Sequence, residues 1–136
     1  MSQYYKLGDQ TLWNPSNGAS RLFMRQVILY EAEVGLVSGV GPMEADECRI
    51  DPVAFAAFAD ALLGWHGRTR HAVMATLSEG FVATVLALAE KADIEVNWQT
   101  AERAESDHLK VSGPHAKAWT AALRQKVREL TRHVAP

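Results

Sequence analysis

Between His71 and Ala92 the chain is apolar on two opposite sides at once. Val73, Leu77, Phe81, Val85 and Leu88 recur at helical spacing on one side, Val82 and Leu86 lie on the other, and Glu79 and Glu90 leave only a narrow polar strip. A helix patterned this way would leave half of its apolar girth in water if it lay on a surface, so it has to be the central helix of its fold. Gly80, in its interior, lowers helix propensity by about 1 kcal/mol relative to alanine, which predicts another backbone packed closely against it. The chain has 136 residues, enough to bury roughly two-thirds of its unfolded surface around such a helix. One domain over residues 1–136 with a single core is therefore expected.

The neighbours of that helix are legible to different degrees. Tyr5 and Leu7 alternate with polar residues, Gly8-Asp9 can turn tightly, and Thr11-Leu12-Trp13 resumes an extended run, which predicts a hairpin over 4–13. Ser16 or Asn17 can cap a first helix whose stripe is Phe23, Val27, Tyr30 and Val34. Leu22, Ile28 and Leu29 lie off that stripe, an excess of apolar girth that predicts a contact on a second side, such as a homodimer. Gly35, Gly39, Gly41 and Pro42 make 35–43 a loop with at most a short strand at Leu36-Val37. Asp51 as N-cap and Pro52 at the first helical position open a helix to about Leu63, with Phe55, Phe58, Ala59 and Leu62 as its stripe and Gly64 as its left-handed stop. The alternating runs Ile94–Trp98 and His108–Val111 predict a second hairpin. A last helix after Pro114 has the stripe Trp119, Leu123, Val127, Leu130 and Val134, with Lys117, Arg124, Arg128 and Arg132 on its opposite face. The fold class expected is α+β: about four helices packed with two short hairpins.

Composition removes several classes of function. A net charge of −2 argues against general nucleic-acid binding, which needs a cationic excess, and aromatic residues do not interleave with the basic face of the last helix. Cys48 is the single cysteine, so no intrachain disulfide can form and a reducing, cytoplasmic setting is expected. The start lacks a signal-peptide pattern, and no stretch approaches the roughly 18 uninterrupted apolar residues of a membrane span.

Four groups of residues stand out together: Thr11-Leu12-Trp13-Asn14-Pro15-Ser16-Asn17, Gly39-Val40-Gly41-Pro42-Met43 with the Asp46-Glu47 pair, Ile50-Asp51-Pro52 before Phe55, and Glu79-Gly80-Phe81-Val82-Ala83-Thr84. Over residues 1 to about 98 the chain resembles an uncharacterised family of small proteins from streptomycetes and related actinobacteria, a domain of unknown function. The resemblance implies a bacterial cytosolic protein and carries no catalytic residue with it.

Chemistry has little to build on. Cys48 sits among Glu44, Asp46, Glu47 and Asp51, an acidic neighbourhood that opposes thiolate formation. Ser78-Glu79-Gly80 falls in mid-helix and completes no nucleophile elbow, and Gly39-Val40-Gly41 reads as a turn and not as a nucleotide cradle. His66 and His71 are five residues apart and would need Asp46 or Glu47 from elsewhere to hold a metal; no metal and no cofactor is expected. The densest grouping of donors, titratable rings and an aromatic face is Trp65, His66, Arg68, Arg70 and His71, read as a link between helices that the Asp46-Glu47 loop could approach. In that site Arg68 and Arg70 would orient an anion beside the amino end of the next helix, His66 or His71 would move a proton, and Trp65 would cover an apolar portion. Two functions follow. The favoured one is a non-catalytic binding protein, immunity-like or regulatory, with a protein partner. The alternative is a small-molecule enzyme or ligand binder of a streptomycete pathway that takes an anionic or aromatic ligand at 65–71.

Overall fold

The computed structural model describes residues 2–69, 71–99 and 119–134. Strands β1 (Tyr4–Leu7) and β2 (Gln10–Trp13) form the expected antiparallel hairpin, with Lys6 opposite Thr11 and a bulge between Tyr5 and Lys6. Helix α1 (Asn17–Val34) starts where Ser16 Oγ accepts from the Ala19 amide at 3.3 Å. It stops at Gly35, whose φ of 75° is the left-handed cap conformation. Helix α2 spans Pro52–Arg68, α3 spans Ala72–Lys91 and α4 spans Trp119–Thr131.

A third strand, β3 (Glu47–Arg49), pairs parallel to β1, so the sheet order is β2-β1-β3. The acidic run around Cys48 therefore completes the sheet, while Leu36 and Val37, the candidate strand, are exposed loop. In β3 only Cys48 is buried. A three-residue strand with one apolar position has no period to detect; its existence comes from its partner, β1. The turn before it is strained: Ala45 and Asp46 take φ of 51° and 62° between Glu44 and Glu47, which bond each other's backbones at 2.9 Å. Each non-glycine residue held in this region costs about 1–2 kcal/mol.

The second predicted hairpin is corrected. Ile94 to Asn97 form no strand, Trp98 and Gln99 turn helical, and His108–Val111 lie outside the described residues. The alternation at 94–98 instead follows from how α3 ends. Asp93 adopts φ 56°, its amide donates to Glu90 O and the Ile94 amide to Ala89 O, a Schellman cap that turns Ile94 back toward the core. Helix α2 also runs past its expected stop. Gly64 and Gly67 are both buried within it, so their missing side chains serve packing and do not end the helix.

The core joins the sheet to the helices through a chain of rings. Tyr5 and Trp13 pack on Phe23 edge to face, Phe23 meets Phe81 at 5.6 Å, Phe81 stacks on Tyr30 at 4.5 Å and 7°, and Tyr30 meets Trp65 at 5.6 Å. The Tyr5 hydroxyl bonds Ser20 Oγ at 2.8 Å, and burial pushes its pKa up to about 12. Helix α3 packs on α2 and α4. By length and composition it could cross a membrane, with a mean hydropathy of 1.8, but over half of that apolar stretch is buried within the protein. Its burial is uneven: Phe81, Val82, Val85, Leu86 and Leu88 are core, whereas Val73 and Leu77, placed on the same stripe by their spacing, are exposed.

Two glycines contrast. Gly39 has φ 79°, and a Cβ there would stand 2.7 Å from Asp51 O and 2.9 Å from Phe55 N, so only glycine lets this loop dock on the first turn of α2. Gly80, expected to face a close backbone, has nothing within 4 Å of a Cβ among the described residues. Gly39→Ala should therefore lose at least about 2 kcal/mol in chemical denaturation, and Gly80→Ala should gain up to about 1 kcal/mol. Phe81→Ala should cost about 3–5 kcal/mol; a loss below about 1 kcal/mol would contradict the central place of its ring.

Candidate functional site

Because α2 continues to Arg68, the expected 65–71 link is mostly helix, and this decides where its side chains go. Trp65, His66 and Arg68 lie on successive parts of a helical surface, and only Thr69 to His71 connect α2 to α3. Arg70 lies outside the described residues. Trp65 and Arg68 share an open cleft of about 360 Å³ with Glu33, Asp60, Ala61 and Asn97. The Asp60 carboxylate accepts from the Asn97 amide at 2.7 Å, which ties the end of α3's capping segment to α2. Two carboxylates face one guanidinium here, so the cleft is poorly suited to an anion.

His66 is turned away from that cleft. It is buried and lines a separate small cavity of about 110 Å³ with Ala72, Ala75, Thr76, Glu79 and Ala122. Its Nδ1 lies 3.2 Å from Ser78 Oγ, which also lies 2.9 Å from Met74 O. Burial lowers the pKa of His66, partly opposed by the Glu79 charge. His71 occupies the N-cap position of α3, exposed and without a capping side-chain bond.

Asp46 and Glu47 do not join this corner. Asp46 Oδ1 accepts from Gln3 Nε2 at 3.4 Å, and Glu47 pairs with Lys6 Nζ at 3.2 Å, both beside β1. The cavities lined by Trp65, His66 and Arg68 contain neither carboxylate. Cys48 is buried with its Sγ 3.1 Å from Gly41 O, and its pKa is pushed up to about 11. The main cause is burial, not the acidic neighbours that its sequence suggested. Among the described residues no three His, Cys, Asp or Glu side chains come together as a metal site. On α4, the Arg124 guanidinium sits 4.6 Å over the Trp98 ring.

What the arrangement offers in place of a reactive cluster is an apolar groove. Leu29, Tyr30 and Glu33 of α1, Trp65 of α2, and Met74, Leu77 and Ser78 of α3 line a shallow depression of about 160 Å³. Trp65 and Glu33 line both this groove and the cleft of Arg68. Leu29 was marked by its place off the α1 stripe. Leu77 departs from the core stripe on which its helical spacing places it, and Met74, off that stripe, is exposed beside it.

The buried histidine makes a pH prediction. The unfolded chain protonates His66 near 6.5, while the folded protein does so only at a lower pH. Its contribution is thus undiminished above pH 6.5 and is lost as the pH falls from there through the folded pKa. Denaturant titrations between about pH 7 and pH 5 should show stability falling in the wild type and falling less in His66→Gln; equal slopes would remove His66 as the cause.

No curated protein and no solved structure matches the chain. A family match does, and it spans residues 1–136, the whole chain and not only the first 98 residues on which the motifs lay. The protein belongs to that family, DUF6086, a family of unknown function.

Proposed function

We propose that the protein is a non-catalytic binding protein of the bacterial cytosol, immunity-like or regulatory, that works through one apolar face. The observation that carries this reading is the groove between α1 and α3, where Leu29, Met74 and Leu77 remain 56%, 46% and 74% exposed around Trp65 and Tyr30. Large apolar side chains scattered singly are ordinary, but a contiguous set with an aromatic wall is the form of an interaction site. The reactive candidates are occupied elsewhere: the Cys48 thiol is buried, His66 is held by Ser78, and Glu47 is paired with Lys6. The motifs shared with small streptomycete proteins support an actinobacterial origin, and the lone thiol supports a reducing compartment.

A photo-crosslinking residue placed at Leu29 or Leu77 in the producing cell should give a discrete protein adduct, and one placed at Lys126 of α4 should not. The same pattern from all three positions would sink the reading.

The ligand-binder reading keeps one supporting observation, the cleft that joins Trp65 to Arg68. Its carboxylates favour an aromatic or zwitterionic ligand over a simple anion. A thermal-shift response to such a compound that disappears in Arg68→Ala would support it; a response unchanged in that variant would place the ligand elsewhere.

A further inference from the structure

We propose that Asn17-Gly18, at the start of α1, is a site of spontaneous modification, where the side-chain amide of Asn17 is lost and an aspartyl or isoaspartyl residue takes its place; the site stands apart from the apolar groove and does not depend on the binding reading. The reaction needs a backbone nitrogen without a competing bond after an asparagine, and a following residue that leaves the approach open, as glycine does. Asn17 and Gly18 are both exposed, and a Cβ at Gly18 would meet nothing within 4 Å. They are the first two residues of α1, so the Gly18 amide belongs to the first turn, whose amides have no acceptor within the helix. The Ser16 cap serves its neighbours instead: Ser16 Oγ accepts from the Ala19 amide at 3.3 Å and Ser16 O from the Ser20 amide at 2.9 Å, and among the described residues no acceptor meets the Gly18 amide. Helical backbone holds that nitrogen off the line of attack, so the first turn has to open. The opening is local, because residues 17–19 are exposed and the first residue of α1 anchored in the core is Ser20, whose Oγ bonds the Tyr5 hydroxyl.

In the first step the Gly18 nitrogen bonds to Asn17 Cγ and gives up its proton, the C–N bond of the side-chain amide breaks, and that nitrogen leaves with the proton as ammonia. The product is a five-membered succinimide. Water then opens the ring: addition at Cγ restores the main chain and leaves aspartate, whereas addition at the main-chain carbonyl routes the chain through Cγ and leaves isoaspartate. Water is the one co-reactant, and nothing is oxidised or reduced.

The two products act on α1 in opposite directions. Its first turn holds no acidic residue, and Arg21 lies exposed four residues after Asn17. An aspartate at 17 faces the positive end of the helix dipole and stands one turn ahead of that guanidinium, the favourable order for such a pair. Isoaspartate instead lengthens the backbone between the Ser16 cap and the rest of the turn, which moves Ser16 Oγ off the Ala19 amide. Modification thus divides the chain into a form with a firmer α1 start and a form with a loosened one.

The test is incubation of the full folded chain for weeks in warm, mildly alkaline buffer, with peptide mapping by mass spectrometry. The peptide holding Asn17 should gain the mass of an NH-to-O exchange and resolve into two isomers. Asn14 should stay intact, because Pro15 after it has no amide proton to give up. Gly18→Ala, whose methyl has room, should slow conversion about tenfold or more. Asn17→Asp, one product made outright, should melt about 1–4 °C above the wild type. An Asn17 that stays intact in the folded chain while the same chain converts in denaturant would overturn the proposal, as would a Gly18→Ala variant that converts at the wild-type rate. A melting temperature unchanged or lowered in Asn17→Asp would overturn the opposite effects assigned to the two products.

Discussion

The stacking of Phe81 on Tyr30, with Phe23 against the other part of the same ring, is the contact on which the rest of the structure depends. Helix α3 meets α2 and α4 closely; these rings connect it to α1, and it reaches the sheet both through Tyr5 and Trp13 and directly at β2, where Gln10 Nε2 donates to Lys91 O at 3.2 Å. Aromatic side chains suit this because each buries a large area at low entropic cost, and offset or edge-to-face geometry adds about 0.5–1.5 kcal/mol per pair beyond burial. The chain of rings ends at Trp65, so the wall of the candidate groove is the last member of the core and not a separate surface feature. Its orientation is fixed by the same packing that fixes the fold.

A second joint holds the sheet to α2, and it is made of backbone. Gly39 O accepts from the Asp51 amide, Ile50 N donates to Lys6 O, and Gly41 N donates to Arg49 O. This is why a strained turn at Ala45-Asp46 persists: the ladder on one side and the docked loop on the other over-determine it. Asp46 and Glu47, which look like candidate acid–base groups when read as sequence, are the residues of that turn and its strand.

Where local chemistry decides structure, the sequence was readable. The Ser16 cap, the Asp51-Pro52 start, the Gly35 stop and the Phe23–Val27–Tyr30 stripe all follow from bonds within a few residues. The failures are places where a distant partner decides. Cys48 became a strand because β1 lies beside it. Gly64 stayed helical because Leu62, Leu63 and His66 are buried around it. Ile94 and Val96 alternate because a helix cap and Asp60 hold that segment, not because a strand pairs with it. The candidate site suffered the same way. One extra helical turn in α2 separated Trp65 and Arg68 from His66, so residues adjacent in sequence line different cavities.

Val73 and Leu77 show how a misreading of burial becomes information about function. Helical spacing gives only the face on which a residue lies; whether another element covers that face depends on how far the neighbours extend. Phe81 and the turns after it are covered on several sides, whereas at the start of α3 Val73, Met74 and Leu77 stay in water. A chain that folds alone gains nothing from large apolar side chains at such positions, and they invite aggregation. Helix α1 carries a matching anomaly in electrostatics, with cations toward its positive end and two carboxylates, Glu31 and Glu33, in its negative last turn. Either feature alone is a small cost to the monomer. Together, on adjoining helices and around one groove, they mark the face on which the binding reading rests.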